Sequence, residues 1–463
     1  MEKIIVVGAG VAGINLATKL VDNDYQGEIL IIDKGKNPYD RQPEEVMIGM
    51  LGAGGFSDGK LTYHTEIGGL LSKYCGEDKA MELMDQVIQN FRRFHPKPEV
   101  IACSNPTEEP NFIKPYFGLR LFPVWHIGTD FLHEIGKNWY NYLVEKGVKF
   151  LWETEVVDIN FYDKIVYVTE EPDYDFSFNK VVYEHSFDKL VFAVGKSGMD
   201  LSKKLLERNK IELETKPAQI GVRFEAPQKY FQKLIDVSYD FKLYRKFDNV
   251  SLRSFCTNNN AAFVAVEETY GSISYNGHAK NDEKYRNNMT NFGILMEIRG
   301  IENPFEWARK VVEKCQHHSK YPFNDGQHNL GIYYSPSRKP SKTSENLGVT
   351  CDQVPDLKEF KEAFGEYAQY VLDFIEDMNK VFNFGDDWGM YIPEVKYLTG
   401  EPSVHYHNLE LKQYPNVYFV GDALSARGIT VSGSQGIYVA ESLLRKEALI
   451  EVMKADEKDG LYL

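Results

Sequence analysis

Three glycines near the start of the chain have the spacing of a dinucleotide-binding turn. Gly8, Gly10 and Gly13 lie in the sequence GAGVAG, which follows the apolar run 3–7 and precedes a segment with helical apolar spacing. Without side chains, the backbone N–H groups of such a turn can approach a pyrophosphate at the N-terminus of the helix. Asp33 stands about twenty residues further on, where a carboxylate can accept hydrogen bonds from a ribose. The pattern predicts a site for NAD or FAD, because both cofactors use this fingerprint.

A second glycine-rich segment, close to the C-terminus, favours FAD over NAD. The apolar run 417–420 is typical of a buried strand, and it ends in Gly421 and Asp422. We expect this strand to return to the first sheet, so that Asp422 reaches the ribityl or phosphate part of FAD. Gly433 and Gly436 would then let a helix N-terminus approach the isoalloxazine, where its positive dipole suits the negative charge of reduced flavin. The alternative is an ordinary turn between a strand and a helix.

Three side chains are candidates for proton transfer or for binding charge. Lys60 ends the glycine-rich segment 52–60 and could steady an anionic reduced flavin or a substrate acid. His126 precedes a predicted helix and could exchange a proton near neutral pH. Arg223 lies within an apolar strand, where a cation needs a substrate anion, a flavin carbonyl or a buried carboxylate. The structural alternatives are a solvated lysine, a hydrogen-bonding histidine and a buried ion pair.

The charge balance and the cysteines weigh against several other classes of protein. Lys and Arg number 53 against 68 Asp and Glu, and the resulting net charge of -15 disfavours binding to nucleic acid or acidic lipid. The five cysteines are dispersed, odd in number and contain no CxxC, which indicates neither a zinc site nor a disulfide framework. The pair His317 and His318, and the pair His405 and His407, have no neighbouring ligand set that completes a metal site. We expect no metal, and the sequence does not indicate an oligomeric state.

Two observations indicate the cellular setting. The opening MEKIIVVGAG leads directly into the first predicted strand, which leaves no room for a signal peptide. No apolar run approaches the ~18 to 20 residues that a membrane span requires. We therefore expect a soluble, cytoplasmic protein.

The elements that must position these residues follow from apolar periodicity. Buried β-branched runs predict strands of a parallel sheet, and alternating runs after residue 200 predict half-exposed strands of a second unit. Thr129 or Asp130 could cap a helix through its side-chain oxygen. In chain order we expect strand 3–7, helix 12–21, strand 28–33, a helix around 80–91, a helix from 129 or 130, a returning antiparallel meander over 148–194, one core helix over 357–382, strand 416–420 and an amphipathic helix over 436–450.

These elements predict an α/β fold in two domains. Residues 1–199 and 401–463 would form a discontinuous, Rossmann-like FAD-binding domain with a parallel sheet and a small antiparallel meander. Residues 200–400 would form a second, α+β domain for the substrate, closing over the flavin ring.

Most of the chain also resembles the poorly characterised bacterial FAD-dependent dehydrogenase family, within the NAD(P)/FAD-dependent oxidoreductase superfamily and its glutathione-reductase-type FAD fold. The resemblance rests on the segments GAGGFSDGKLT (52–62), HIGTD (126–130), KPAQIGVRFEAPQ (216–228), SFCTNNNAAFVAVEE (254–268) and NVYFVGDALSARGITVSGSQGI (416–437). It implies that FAD is lined by Gly8, Gly10, Gly13, Asp33, Gly54, Gly55, Asp58, Gly195, Gly421 and Asp422, with Val156 beside the adenine and Gly428 and Gly433 near the ring.

Two segments depart from that family. The run CTNNN (256–260) replaces a Cys-Met-Cys-Pro-Gly-Gly-like turn, which weakens any cysteine-based redox role for this loop. The run YYSPSRKPSKTSEN (333–346) is unlike the family and lies in the predicted substrate half. The identity of the substrate therefore does not transfer.

The predicted activity is transfer of a hydride between FAD and a small organic substrate, as in dehydrogenases and reductases. No second GxGxxG follows a strand, so NAD(P)H would bind only transiently as an electron donor. Two alternatives stay open. One is a flavin-dependent monooxygenase, and the other is a non-catalytic flavoprotein that senses redox state.

Overall fold

The structure is a computed structural model, and it describes residues 1–42, 45–69, 71–106, 108–170, 181–214, 216–269, 272–317, 320–323, 326–340, 351–397 and 400–458. His318 of the proposed histidine pair, and residues 341–346 of the segment unlike the family, lie outside these ranges. The α-helices of the described residues are α1 Val11–Asp22, α2 Ser72–Cys75, α3 Glu77–Phe94, α4 Thr129–Glu145, α5 Met199–Arg208, α6 Gln232–Ile235, α7 Pro304–Lys314, α8 Lys358–Phe364, α9 Tyr367–Phe382 and α10 Ile429–Lys458.

The strands fall into one parallel sheet, one large mixed sheet and several small antiparallel sheets. In chain order they are β1 Lys3–Val7, β2 Glu28–Ile32, β3 Lys60–Thr62, β4 Ala102–Ser104, β5 Gly118–Leu121, β6 Val124–His126, β7 Lys149–Leu151, β8 Glu155–Asn160, β9 Ile165–Thr169, β10 Tyr183–Ser186, β11 Lys189–Phe192, β12 Leu213–Glu214, β13 Ala218–Pro227, β14 Phe241–Lys246, β15 Val250–Asn258, β16 Ala262–Thr269, β17 Ser272–Ala279, β18 Met289–Ile298, β19 Lys320–Phe323, β20 Gly326–Asn329, β21 Ile332–Tyr334, β22 Asp352–Gln353, β23 Gly389–Lys396, β24 Glu401–Pro402 and β25 Val417–Phe419.

The parallel sheet has the strand order β25-β11-β1-β2-β7. Its central strand β1 pairs with β2 and β11, and Val7 is level with Ile32 on one side and Phe192 on the other. These strands are continuous apolar runs because α1 and the meander strands β8 to β10 help to keep the sheet away from solvent. The late strand β25 pairs with β11, so the C-terminal part of the chain returns to the first sheet. The α/β, Rossmann-like fold class is confirmed.

The mixed sheet has the order β22-β21-β23-β13-β18-β15-β14-β5, with only β21 and β22 parallel. One face is apolar and packs in a second core with α7, α8 and α9; Val222, Leu252 and Ile294 belong to this core. Because side chains alternate along a strand, the neighbouring positions point to the opposite face. Strand β5 joins this sheet from outside the range 200–400 that was assigned to the substrate domain. That domain boundary remains a prediction.

The predicted cap of α4 is wrong. The N-cap of this helix is Gly128, whose backbone precedes Thr129 at the first helical position. The Thr129 hydroxyl donates instead to the carbonyl oxygens of Ser57 and Ala279. The Asp130 carboxylate accepts hydrogen bonds from the backbone N–H groups of residues 281 and 282. Both side chains therefore join α4 to other loops.

Two helices differ in length from their predictions. The single helix expected over 357–382 is two helices, α8 and α9, separated at Gly365, where φ is +58°. The final helix begins at Ile429 and not at Gly436. The glycine cluster predicts a helix boundary at Gly436, whereas Gly436 lies inside α10 and brings it close to α1. Residues 432–435 are small or polar, so they interrupt the apolar pattern at the start of α10.

Within the described residues, no helix is long and apolar enough to span a membrane.

Candidate functional site

A cleft of about 1480 Å³ lies between the carboxyl edge of the parallel sheet and the face of the mixed sheet that is turned away from its core. Single-ligand pockets usually occupy roughly 300–1,000 Å³. The cleft therefore has room for a dinucleotide and a second molecule. Of the residues predicted from the sequence, it is lined by Gly8, Gly10, Asp33, Gly54, Asp58, Lys60, Val156, Gly195, Gly421, Asp422 and Gly428.

The glycine turn at the end of β1 has the geometry of a phosphate cradle. Gly8 has φ +108°, and a Cβ there would lie 2.3 Å from the carbonyl oxygen of Ala193. Gly10 is the N-cap of α1 and has no side-chain cap, so the first N–H groups of the helix are open to an anion. At Gly195 and Gly428 nothing lies within 4 Å of an added Cβ. These open glycines on the wall of the cleft fit a dinucleotide.

Replacing Gly10 by Ala tests this assignment. Gly10 has φ −69° and only one atom, the Ala193 oxygen at 3.9 Å, near an added Cβ. The free protein should therefore accommodate the methyl group, which would occupy space needed by the pyrophosphate. We expect the Kd for FAD, measured by flavin fluorescence titration, to rise about tenfold or more, equivalent to about 1.4 kcal/mol.

Gly436→Ala is the matched control for Gly10→Ala. Its Cβ would lie 2.1 Å from the carbonyl oxygen of Ala12, so it should force α1 and α10 apart. Overpacking of this kind costs about 1–3 kcal/mol of unfolding free energy. Unchanged FAD affinity in Gly10→Ala would contradict the assignment, as would a loss of stability equal to that of the control.

Asp33 organises the turn as well as lining the cleft. One carboxylate oxygen accepts a hydrogen bond from the Ala9 N–H at 2.8 Å. The other accepts from the N–H groups of Gly35 and Gly49, each also at 2.8 Å. The carboxylate thus holds three loop segments together, and Asp33 still forms part of the cleft wall, as a ribose partner requires.

Four predicted cofactor residues face other protein groups and not the cleft. An added Cβ at Gly13 would lie 2.4 Å from the Gly8 oxygen, and one at Gly55 would lie 2.6 Å from the Met50 oxygen. Gly433 packs against α3, and Gly436 packs against α1. These glycines allow close packing behind the cleft. The N-terminus of α10 that reaches the cleft is formed by residues 428–432.

Asp422 lies in the cleft wall after β25 and is paired within the protein. Its Oδ1 is 2.6 Å from Nη1 of Arg427, which also lines the cleft. The guanidinium of Arg427 donates in addition to the carbonyl oxygen of Tyr397. The ion pair therefore fixes the segment between β25 and α10.

Lys60 is a buried residue of the cleft wall and has three oxygen partners. Its ammonium group lies 2.9 Å from Asp58 Oδ2, 3.2 Å from Asp240 Oδ2 and 2.7 Å from the Thr257 oxygen. Burial opposes the charge, but the two carboxylates outweigh it and raise the pKa of Lys60 well above its usual value. Lys60 is therefore a permanent cation that joins β3 to the mixed sheet.

His126 does not line the cleft. Its ring stacks on Tyr239 with the ring centres 4.5 Å apart, and Nε2 lies 3.2 Å from the Tyr239 hydroxyl. Burial lowers the pKa of His126 to about 4, so the ring is neutral near pH 7. This geometry supports the structural alternative, a hydrogen-bonding histidine, for His126.

Arg223 lies behind the cleft wall and is fully buried. Its Nη2 donates to Glu394 Oε1 at 2.5 Å and to Asn276 Oδ1 at 2.9 Å, and Nη1 donates to the Cys256 oxygen at 2.9 Å. The buried ion pair that the sequence left as an alternative is therefore present. Glu394, unlike Arg223, lines the cleft.

The family model of the pyridine nucleotide-disulphide oxidoreductases matches residues 2–203. The matched part contains the glycine turn, Asp33 and the four neighbouring strands β11, β1, β2 and β7 of the parallel sheet. The match covers less than half of the chain, and it agrees with the predicted NAD(P)/FAD-dependent oxidoreductase superfamily. This part of the chain is that of an oxidoreductase, as the sequence predicts.

Individual relatives of this oxidoreductase are distant. An uncharacterised protein of Clostridium beijerinckii is 23% identical over 489 residues, which cover 96% of this chain and 80% of the relative. A flavoprotein/dehydrogenase from Cytophaga hutchinsonii is 13% identical, covers 96% of this chain and 79% of its own, and superposes with a TM-score of 0.42. The tetracycline destructase Tet(51) is 10% identical over 96% of this chain and 83% of its own, with a TM-score of 0.36. Similarity at this level carries no inference about the substrate.

The oxidoreductase has a charged network that the sequence did not predict. Lys196, directly after the Gly195 turn, is 2.7 Å from Oε2 of Glu267 in β16. Asn276 donates to the other oxygen of Glu267 at 2.6 Å and accepts from Arg223. Burial disfavours the charge of Glu267, but Lys196 outweighs it and lowers the pKa of Glu267 to about 2. The network therefore links the parallel-sheet edge to Glu394.

The described residues contain no disulfide and no cluster of metal-ligating side chains. All five cysteines are free, and burial raises the pKa of Cys256, the cysteine in the cleft wall, to about 11. No group of three or more His, Cys, Asp or Glu side chains in the described ranges could hold a metal ion. His405 and His407 lie with their ring centres 5.6 Å apart and belong to no such group.

Proposed function

We propose that this oxidoreductase is a dehydrogenase or reductase that transfers a hydride between FAD and a small organic substrate bound against the mixed sheet. FAD, when bound, supplies hydride chemistry at N5 of its isoalloxazine ring. The glycine turn and Asp33 would hold the dinucleotide, and the segment around Asp422 would hold its flavin end. One observation carries the proposal, namely that the cleft-facing side of the mixed sheet is polar although it is largely buried.

That polar face is formed by alternate positions on the five neighbouring strands β23, β13, β18, β15 and β14. Its members in the cleft wall are Gln219, Lys242, Arg253, Glu297, Glu394 and Lys396, with Phe255 among them. Buried polar groups are normally hydrogen-bonded, because leaving them without partners costs free energy. A face of this composition is what a polar substrate needs, and a purely structural sheet would place apolar side chains there.

Glu394 is suited to hold the proton that accompanies hydride transfer. Oε1 of Glu394 is bound by Arg223, whereas Oε2 is buried and has no hydrogen-bond partner among the described residues. Gly293 makes room for it, since a Cβ there would lie 2.5 Å from Oε2. Burial raises the pKa of Glu394 above its usual value, against the opposing effect of Arg223. Arg223 is then a positioning residue and Glu394 the proton acceptor or donor.

The proposal includes two further points. NAD(P)H would act as a transient electron donor, and the protein would work in the cytoplasm. No second glycine fingerprint follows a strand, so a nicotinamide nucleotide would share the open cleft and would not have a domain of its own. The free state of all five cysteines agrees with a reducing compartment.

The test is an absorbance spectrum of the purified protein under anaerobic conditions. We expect flavin peaks from FAD, identified by mass after release, that bleach on addition of NADH or NADPH or of a small organic substrate. Slow reoxidation by oxygen and fast reoxidation by an organic acceptor would support a dehydrogenase. Fast, substrate-dependent consumption of oxygen would instead indicate a monooxygenase, and reduction without any turnover would indicate a sensor. A colourless protein that cannot be reconstituted with FAD would contradict the proposal entirely.

A further inference from the structure

Among the described residues, two buried lysines on the polar face of the mixed sheet have ammonium groups that lack a hydrogen-bond or ion-pair partner. Lys242 and Lys396 are 7% and 9% exposed and both line the cleft. Neither Nζ has a hydrogen-bond or ion-pair partner within the described part of the chain. Lysine is almost never buried without a counter-charge. A missing anion is the direct explanation for two such groups on one face.

An arginine and one aromatic ring complete this cluster. Lys396 Nζ lies 3.2 Å and Lys242 Nζ 5.3 Å from the centre of the Phe255 ring. Arg253 is two positions from Phe255 on β15 and points to the same face, where its guanidinium has one hydrogen bond, at 3.2 Å, to the Gln219 side chain. The three cations therefore surround the ring on strands β14, β15 and β23.

The nearby carboxylates are already paired with other cations. Asp240 lies 3.2 Å from Lys60, Glu394 is bound by Arg223, and Glu297 lies 3.4 Å from Arg299. Burial lowers the pKa of Lys396 well below its usual value, and Arg253, Arg427 and Lys242 lower it further. Burial also lowers the pKa of Lys242. Asp240 raises this pKa in part, whereas Arg253 and Lys60 lower it further. An anion between the two lysines would relieve this repulsion.

We propose that Lys242, Arg253 and Lys396 form an anion subsite around Phe255 that binds the carboxylate of an organic acid substrate. This inference rests on the proposed function, because the acid would occupy the substrate side of the same cleft. The phosphates of FAD have their own cradle at Gly8, Gly10 and the N-terminus of α1, on the other sheet. The remaining competitor for the subsite is the phosphate of a nicotinamide nucleotide, which shares the anionic chemistry.

The test measures anion binding to the FAD-loaded protein by perturbation of the flavin spectrum and by thermal shift. The probes are benzoate, inorganic phosphate and the uncharged analogue benzamide, with 2',5'-ADP representing the nucleotide phosphate. The variants are Lys242→Met and Lys396→Met, which keep the length of the side chain and remove its charge. Lys216→Met is the matched control, since Lys216 also lines the cleft but is paired with Glu401 at 2.7 Å.

We expect benzoate to bind the wild type, and to bind Lys242→Met and Lys396→Met about tenfold or more weakly, as the loss of a charge-assisted contact implies. Lys216→Met should bind benzoate like the wild type, and benzamide should not distinguish any of the variants. Without ligand, both test variants should melt at a higher temperature than the wild type, because each loses an unpaired buried charge. If a lysine had a purely structural role, its replacement by Met would lower the melting temperature.

Three results would overturn the subsite. The first is failure of both benzoate and phosphate to bind the FAD-loaded wild type. The second is equal benzoate affinity in the wild type and in both lysine variants. The third is a loss confined to 2',5'-ADP, which would assign the cations to the nicotinamide nucleotide. These measurements detect binding and do not require turnover. The proposed function fails on different results, namely a protein that does not bind FAD or a bound flavin that is not reduced. The two failures can therefore be distinguished.

Discussion

Replacing Glu394 by Gln is expected to lower kcat/KM for an organic substrate by about 10²–10⁴-fold. Glutamine keeps the hydrogen bond to Arg223 but cannot accept a proton at Oε2. Reduction of the flavin by NAD(P)H releases no proton from a substrate heteroatom, so that reaction should be unchanged in the same variant. Both rates are measured by anaerobic stopped-flow bleaching, with the best substrate from a panel of hydroxy acids and amino acids.

The pH dependence gives a second signature for Glu394. Its pKa is raised in the folded protein, and oxidation of a substrate requires its unprotonated form. The wild-type rate should therefore fall as the pH drops through that raised pKa, and this limb should be missing in Glu394→Gln. Glu297→Gln is the matched control, since Glu297 lines the same cleft and pairs with Arg299. Equal losses in the two variants, or a loss of NAD(P)H-driven reduction, would contradict the assigned role.

Replacing Glu267 by Gln is expected to destabilise the fold by about 3–5 kcal/mol, because it leaves the buried Lys196 charge without its carboxylate. The double variant Lys196→Met with Glu267→Leu should recover most of this loss, since an apolar pair often replaces a buried ion pair at little cost. Urea denaturation at pH 7 with saturating FAD gives the two free energies of unfolding. If Glu267→Gln has the same midpoint urea concentration of unfolding as the wild type, the ion pair does not stabilise the fold.

The lowered pKa of Glu267 also predicts that the folded protein loses stability in acid. Its pKa falls from the ordinary 4.5 to about 2 on folding, so the folded state binds its proton less tightly than the unfolded state does. The resulting stabilisation, about 3 kcal/mol, is fully present above pH 4.5 and is lost as the pH falls towards 2. In the double variant this part of the acid dependence should be absent.

The sequence indicates several residues of the cleft wall because their signals are local. Gly8 has a positive φ that favours glycine, and Gly10 leaves the first N–H groups of α1 open. Asp33 follows a buried strand at a fixed distance. Similarly, the Gly-Asp pair at 421 and 422 marks the end of a strand whose carboxyl edge is shared with β1. Each of these features is a short pattern with a direct structural reason.

The substrate face could not be predicted in the same way. Lys242 and Arg253 alternate with apolar residues along β14 and β15, as they would on the solvent-exposed side of an antiparallel sheet. Whether water or a cleft covers that side depends on contacts between distant parts of the chain. For the same reason the sequence indicates that Arg223 needs a partner but does not identify Glu394 as that partner. It also leaves a solvated Lys60 open and does not indicate the contact with Asp240.

The strand order of the parallel sheet has a consequence for biosynthesis. Strand β25 leads to one edge of the cleft, which the start of α10 also lines, and α10 packs closely on α1 through Gly436. More than two hundred residues separate these segments from the region that matches the family model. While the ribosome is still translating the middle of the chain, the glycine turn therefore lacks one of its walls. We therefore expect a dinucleotide to bind only after residues 417–432 have been synthesised and have joined the parallel sheet.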